Sequence, residues 1–216
     1  RGRLFLARDR FGKKPLYYAC SPGLFAFASE LTALAAHPGI ERRLDRLSLK
    51  KLFAYGFIPT PRSLYEGVRR LPGGHHMTFD IARPGHVGIR KYWEFAIEPA
   101  ERIPAHPEVE WGEELRHLLA QAVRRRLMSD VPLGVLLSGG IDSSAVLAYA
   151  SAALPPGTVQ TFSIGFREPS FDESGPARRV AHHFHSVHHE DILDIERARE
   201  LVPEVLARLD EPLGDP

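Results

Sequence analysis

The run Gly134-Val-Leu-Leu-Ser-Gly-Gly-Ile-Asp-Ser-Ser144 collects groups suited to binding an anion. An apolar strand ends there, Gly139 and Gly140 let backbone approach a ligand closely, and Ser138, Ser143 and Ser144 bring hydroxyls to the start of a helix. Backbone N–H groups turned inward and the positive end of the helix dipole would complete a cradle for phosphate oxygens. Asp142 is the odd member, because a carboxylate beside phosphates is repelled. A divalent cation removes the conflict. Magnesium keeps several waters and takes one or two carboxylates together with substrate phosphates, so Asp142 is read as its ligand. Each part also has an ordinary structural use, Gly-Gly as a turn and Asp or Ser as a helix cap. The run lacks the Lys of the Walker A loop, and its glycines do not follow Gly-x-Gly-x-x-Gly.

The elements that must position this run follow from periodicity. Residues 113–128 predict an amphipathic helix, with Leu115, Leu118, Leu119, Ala122 and Val123 on one face. After it come strands at 131–137, 159–165 and 186–192, alternating with helices at 143–153, 174–184 and 196–209. That alternation predicts a parallel sheet with helical crossovers. The first half reads differently. Short apolar runs at 4–7, 16–19 and 24–28, separated by turn-forming residues, predict an antiparallel meander. Residues 30–36 predict a short helix, Ser48 is the expected cap of a second, and further strands are expected at 76–80 and 91–95. Between residues 98 and 110, Pro99, Pro104 and Pro107 interrupt any apolar period and mark a junction.

Composition bounds the class. The chain has 216 residues, 44% of them hydrophobic, which excludes a disordered chain. Its formal charge of +1 carries no electrostatic footprint of a nucleic-acid binder. One cysteine, Cys20, forms no internal disulfide, and the apolar stretch at 145–154 is about half of what a bilayer span needs. No membrane segment and no oxidising compartment are indicated, and the cytoplasm is the default. The chain starts at Arg1 without Met and stops in Glu211-Pro-Leu-Gly-Asp-Pro216, which reads as a piece cut from a longer protein.

The loop matches the pyrophosphate-binding Ser-Gly-Gly-x-Asp-Ser-Ser of ATP pyrophosphatases, enzymes that adenylate a substrate and release pyrophosphate. The likeness goes further. Ala7-Arg-Asp-Arg-Phe-Gly-Lys-Lys-Pro-Leu-Tyr-Tyr18, Phe27-Ala-Ser-Glu30, Tyr55-Gly-Phe-Ile-Pro59 and Leu71-Pro-Gly-Gly-His75 lie in the first half. Met128 to Ser144, Phe162-Ser-Ile-Gly-Phe166, Phe171-Asp-Glu-Ser174 and Val187-His-His-Glu190 follow in the second. In this order, over almost its whole length, the chain resembles the glutamine-hydrolysing asparagine synthetase family.

The resemblance implies α/β and α+β architecture. Residues 1–97 would be the later part of an antiparallel αββα, N-terminal-nucleophile-type glutaminase domain, 98–110 a linker, and 111–216 the first part of a Rossmann-like ATP-pyrophosphatase domain. It implies ATP and Mg2+ as cofactors. Ser138, Gly139, Gly140, Asp142, Ser143 and Ser144 would hold the β- and γ-phosphates with magnesium at Asp142, and the backbone of Leu137 and Ile164 would lie beside adenosine. Aspartate, glutamine or ammonia, and ATP would be the partners of the parent protein; whether that parent is a homo-oligomer is open. In the family the glutaminase nucleophile is an N-terminal cysteine, and Cys20 does not match it. The synthetase segment Ser-Gly-Glu-Gly-x-Asp-Glu has no counterpart either, so the piece is expected to be inactive by itself.

Other clusters have plainer readings. His182, His183, His185, His188 and His189 straddle a helix end and a strand without regular ligand spacing. Arg124 to Arg126 fit a solvated helix face. Arg8, Asp9 and Arg10 are expected to be structural. Relatives that form other amides or close a β-lactam ring share the loop, as does an enzyme adenylating a tRNA base, which the balanced charge disfavours. A non-catalytic nucleotide-binding module is the alternative from another class.

Overall fold

Burial alternates along the first two strands, as half-covered sheets require. The computed structural model describes residues 2–82, 87–99, 103–168, 170 and 172–214. Arg1, Phe171 of the Phe-Asp-Glu-Ser motif, residues 100–102 of the expected junction and the last two positions lie outside the described residues. In β1 (Arg3–Ala7) Leu4 and Leu6 are half-buried while Phe5 faces out, and in β2 (Tyr17–Ser21) Tyr17 and Ala19 are buried. Ser21 pairs with Leu24 across Pro22-Gly23, a two-residue hairpin loop in which Gly23 takes φ 78°, leading into β3 (Leu24–Ala28).

The expected three-strand meander does not form. β1 pairs with β5 (His75–Asp80), which pairs with β6 (Val87–Lys91), whereas β2 lies between β3 and β4 (Val68–Arg70). The reason lies in the connection after β1. The buried Arg8 guanidinium donates to the carbonyls of Lys14 (2.8 Å), Leu71 (2.6 Å) and Gly12 (2.6 Å), fixing a compact loop where a hairpin would need a simple reversal. Arg8 N then donates to His75 O (3.0 Å) and continues the β1–β5 ladder. Phe25 of β3 stacks on Phe79 of β5 with centroids 4.1 Å apart, so a strand of one sheet packs against a strand of the other.

Local signals explain the other departures. Helix α1 (Leu31–Ala35) precedes α2 (Arg46–Tyr55), and the cap of α2 is Asp45, not Ser48. The Asp45 carboxylate accepts from Leu47 N (2.9 Å) and Ser48 N (3.0 Å), while Ser48 is buried within the helix. Residues 92–95 are not strand. Tyr92 N and Trp93 N both donate to Gly74 O, and Trp93 turns edge-on to Phe11 at 4.8 Å. The Val-Arg-Arg of β4 carries no alternation that could have predicted it.

The chain divides into two units, Arg1–Glu98 with Glu204–Pro216, and Pro99–Pro203. Within the first, Tyr17, Ala19, Leu31, Leu34, Ile40 and Val68 form the core. Its C-terminal piece is held by carboxylates: Asp210 accepts from Leu31 N and Thr32 N (2.9 Å each), and Glu211 accepts from Leu64 N (2.9 Å) and pairs with Arg70.

In the second unit α3 (Pro107–Arg126) begins within the expected linker, with a proline in its first turn and Glu108 and Glu110 facing the positive helix end. Next come β7 (Gly134–Leu136), α4 (Ile141–Ala153), β8 (Gln160–Phe166), α5 (Ser174–His183), β9 (Val187–Leu193) and α6 (Ile195–Arg208), whose residues from Glu204 onward belong to the first unit. β7 is shorter than the apolar run suggests, since Val131, Pro132 and Leu133 lie exposed ahead of it and Pro132 has no N–H to give a ladder. The three strands are parallel in the order β7-β8-β9, with Leu136 level with Phe162 and Phe162 level with His189. One face of this sheet meets the core of Val123, Leu147, Ala150, Ala177 and Ala181, which buries Leu137 and Thr161. The opposite face is open, with Leu136 at 82%, Phe162 at 41% and Ile164 at 57% exposure. Among the described residues no helix is long and apolar enough to cross a membrane.

Candidate functional site

The loop between β7 and α4 starts where the sheet ladder ends. Leu137 N donates to Phe162 O (2.8 Å), so the next residue, Ser138, is the first free of the ladder. Gly139 takes φ +77°, and a Cβ there would lie 2.6 Å from Pro176 and from Ala177 N in the first turn of α5. Only glycine meets both conditions. Gly140 is the N-cap of α4 and has no side chain to cap it, so the N–H groups of Ile141, Asp142 and Ser143 begin the helix without intrahelical acceptors. These donors, together with the helix dipole, are what an anion needs.

The serines are preset around the same point. Ser138 Oγ and Ser143 Oγ are 3.0 Å apart, Ser138 N donates to Ser143 Oγ (3.3 Å), and Gly140 N donates to Ser138 Oγ (3.3 Å). Both hydroxyls can exchange these weak bonds for a ligand oxygen. Ser144 N is spent on Gly140 O (3.0 Å), which leaves its hydroxyl as the group it could offer. Asp142 sits exposed in the first turn of α4. Its negative charge favours the helix end by itself, and the exposed carboxylate is also free to meet a cation.

Next to this loop lies a cleft of about 690 Å3, within the usual range for small-molecule sites. It brings together Leu137, Ser138 and Ile164 of the expected set; Gly139, Gly140, Asp142, Ser143 and Ser144 stand at the adjoining helix start and do not line it. Its apolar wall is Leu136, Phe162 and Ile164, with Glu173, His189, Glu190 and Asp191 around it. His189 stacks on Phe162 (4.9 Å, 17°) and its Nε2 is 2.6 Å from Gln160 Oε1. Sequence reasoning missed the wall. A signal was present in β8, where large Phe162, Ile164 and Phe166 alternate with small Thr161, Ser163 and Gly165.

The histidine cluster separates in space. His188 points under the sheet, its Nδ1 3.0 Å from Thr161 Oγ1 and its Nε2 3.3 Å from Ser163 Oγ. His189 points to the opposite face, while His182 and His183 end α5. Arg124 to Arg126 occupy the last turn of α3, the favourable end of its dipole for cations. In the first unit Cys20 is half-buried within β2 and lines a small cavity together with Arg43 and Glu66.

Comparison with known proteins divides at the same region. The model of a family described as asparagine synthase matches residues 114–216, and that of a glutamine amidotransferase domain matches residues 1–93. The chain is 34% identical over 217 residues to a Methanocaldococcus jannaschii protein named provisionally as a glutamine-hydrolyzing asparagine synthetase, covering 100% of this chain and 41% of that protein. Against Bacillus subtilis glutamine-hydrolyzing asparagine synthetase 3 it is 36% identical over 172 residues, 78% of this chain and 27% of the relative. Against asparagine synthetase 1 of the same organism it is 31% identical over 214 residues, 99% of this chain and 32% of the relative. The chain therefore spans well under half the length of these relatives.

Proposed function

Because this chain belongs to the glutamine-hydrolysing asparagine synthetase family, we propose that it carries the first phosphate-binding loop of an ATP-dependent ligase that makes asparagine from aspartate. In this reading residues 1–97 are the later part of a class II glutaminase domain of αββα type, 98–110 a connection, and 111–216 the first part of a Rossmann-like ATP-pyrophosphatase domain. Ammonia freed from glutamine by the parent protein is the nitrogen source.

One observation carries the proposal: uncapped N–H groups and paired serine hydroxyls at the head of α4 open beside an apolar cleft at the end of β7. Ser138, Gly139, Gly140, Ser143 and Ser144 hold the β- and γ-phosphates through hydroxyls and backbone amides. Leu137 and Ile164 border the adenosine. Among the described residues no three His, Cys, Asp or Glu side chains are grouped to cage a metal. Mg2+ takes one or two carboxylates together with phosphates and water, and Asp142 would be such a ligand. The ion would supply charge neutralisation for the phosphates.

The aspartate side-chain carboxylate attacks the α-phosphorus, the bond to the bridging oxygen breaks, and pyrophosphate departs with the electron pair. Ammonia then adds to the acyl carbon of the β-aspartyl-adenylate, loses a proton and expels AMP. The loop's part is electrostatic: its donors are already aimed at the place where pyrophosphate gathers charge. Calorimetry with MgATP tests this. Asp142→Ala is expected to weaken binding about tenfold or more. Unchanged affinity in that variant, or no binding by the unaltered chain, would reject the assignment.

A further inference from the structure

The loop leans on a neighbour at one point, and that neighbour is itself clamped. Gly139 rests against Pro176 and Ala177, so movement of the first turn of α5 must move the loop. Asp172 Oδ1 accepts from Phe166 N (3.4 Å) at the end of β8 and from Ser174 N (3.0 Å), and its Oδ2 accepts from Ser174 Oγ (3.0 Å). Arg178, one turn further along α5, donates through Nη2 to Ser174 Oγ (3.0 Å) and through Nε to Glu190 Oε2 (2.8 Å) on β9. Glu190 lies 3.8 Å from His188 Nε2, and His188 returns the circuit to Thr161 and Ser163 of β8.

Gly165 makes room for this arrangement. A Cβ there would stand 3.0 Å from Ser174 Cβ and 3.1 Å from Asp172 Oδ1. Ser174, at 2% exposure, is the hub, since it joins the Asp172 turn to Arg178. The Arg178–Glu190 pair is partly exposed and energetically modest, so its value is geometric: it fixes the direction in which α5 approaches the sheet.

We infer that Asp172, Ser174, Arg178 and Glu190 are positioning residues that clamp α5 across β8 and β9 and thereby hold the Ser138–Ser144 loop in its phosphate-binding shape. The inference rests on the assignment of that loop to phosphate. It differs from a purely structural role in one respect. A clamp on the loop affects ligands that use the loop and spares those that use only the cleft wall.

The test compares the unaltered chain with Arg178→Ala, Ser174→Ala and Arg178→Lys. Hydrogen exchange of loop amides is measured along with affinity for MgATP and for adenosine. Arg178→Ala and Ser174→Ala are expected to quicken exchange at residues 138–144 and weaken MgATP about tenfold, with adenosine affinity unchanged. Arg178→Lys should recover part of the loss. Unchanged loop exchange, unchanged MgATP affinity, or equal losses for MgATP and adenosine would each overturn the clamp. If the unaltered chain binds no MgATP, the phosphate assignment fails, and faster loop exchange alone then decides the clamp. Should Ser174→Ala not fold, the exposed-edge variant Arg178→Ala decides it.

Discussion

Two loops in this molecule use similar residues for opposite ends. Arg8-Asp-Arg-Phe-Gly-Lys-Lys14 follows β1, and Ser138-Gly-Gly-Ile-Asp-Ser-Ser144 follows β7; each leaves a strand and holds glycine and an aspartate. In the first, polar groups are consumed internally. The Arg8 guanidinium serves three carbonyls, Asp9 accepts from Lys13 N and Lys14 N (3.0 Å each), and Tyr92 OH donates to Arg8 O (2.6 Å). In the second, helix donors remain open and the hydroxyls hold one another by long bonds. Charge and glycine do not distinguish a scaffold from a binding loop. What distinguishes them is how much hydrogen-bonding capacity the fold has already used.

The largest expected effect lies on the scaffold side. Arg8→Ala strands three carbonyls around a buried gap and should cost about 3–4 kcal/mol in urea unfolding of the first unit. Arg8→Lys should recover little, because one ammonium cannot span the fork geometry of a guanidinium. Neither change should alter MgATP affinity, measured by calorimetry; a parallel loss would erase the contrast between the loops. On the other side, Gly139→Ala places a Cβ at positive φ and against α5, costing about 2–3 kcal/mol in the second unit. Since that contact shapes the loop, MgATP affinity should fall with it.

Exchanging the two aspartates sharpens the comparison at smaller scale. Asp9→Ala removes an acceptor for two backbone N–H groups and should cost about 1 kcal/mol, as a lost cap does, leaving binding intact. Asp142→Ala should stay within about 0.5 kcal/mol of the parent stability while losing MgATP affinity. The reverse pattern, measured by denaturant midpoint and calorimetry, would mean that the roles have been assigned the wrong way round.

The parallel half was largely legible because its signals are local. Residues 143–153 were expected as helix and α4 is Ile141–Ala153; glycine, serine and a strand end announced the loop. The antiparallel half was less so. β1 could have paired with β2 or β5 on alternation alone, and the choice was made by Arg8 reaching Leu71, a contact 63 residues away in sequence. Asp45 hid as a cap because Ser48 stands where an apolar run begins. The cleft wall was hidden for a different reason. Phe162 and Ile164 look like core in any strand pattern, and their exposure depends on whether a layer covers that face of the sheet.

Acid is the mildest probe and tests the idea of consumed hydrogen bonds directly. The N–H of Lys14, and after it that of Lys13, hold the Asp9 carboxyl below the ordinary aspartate range. Asp172 is held low in the same way by the backbone N–H of Ser174 and then by its hydroxyl. A depressed native value means that each carboxylate contributes fully above its unfolded pKa of about 3.9 and that the contribution is lost as pH falls through the lower native value. Urea midpoints followed downward from about pH 5 should therefore drop below about pH 4 for both units. Asp9→Asn should flatten that drop in the first unit only, and Asp172→Asn in the second only. An acid limb unchanged by either substitution would show that these acceptor bonds do not hold the loops, and the contrast between a spent scaffold and an open site would lose its physical basis.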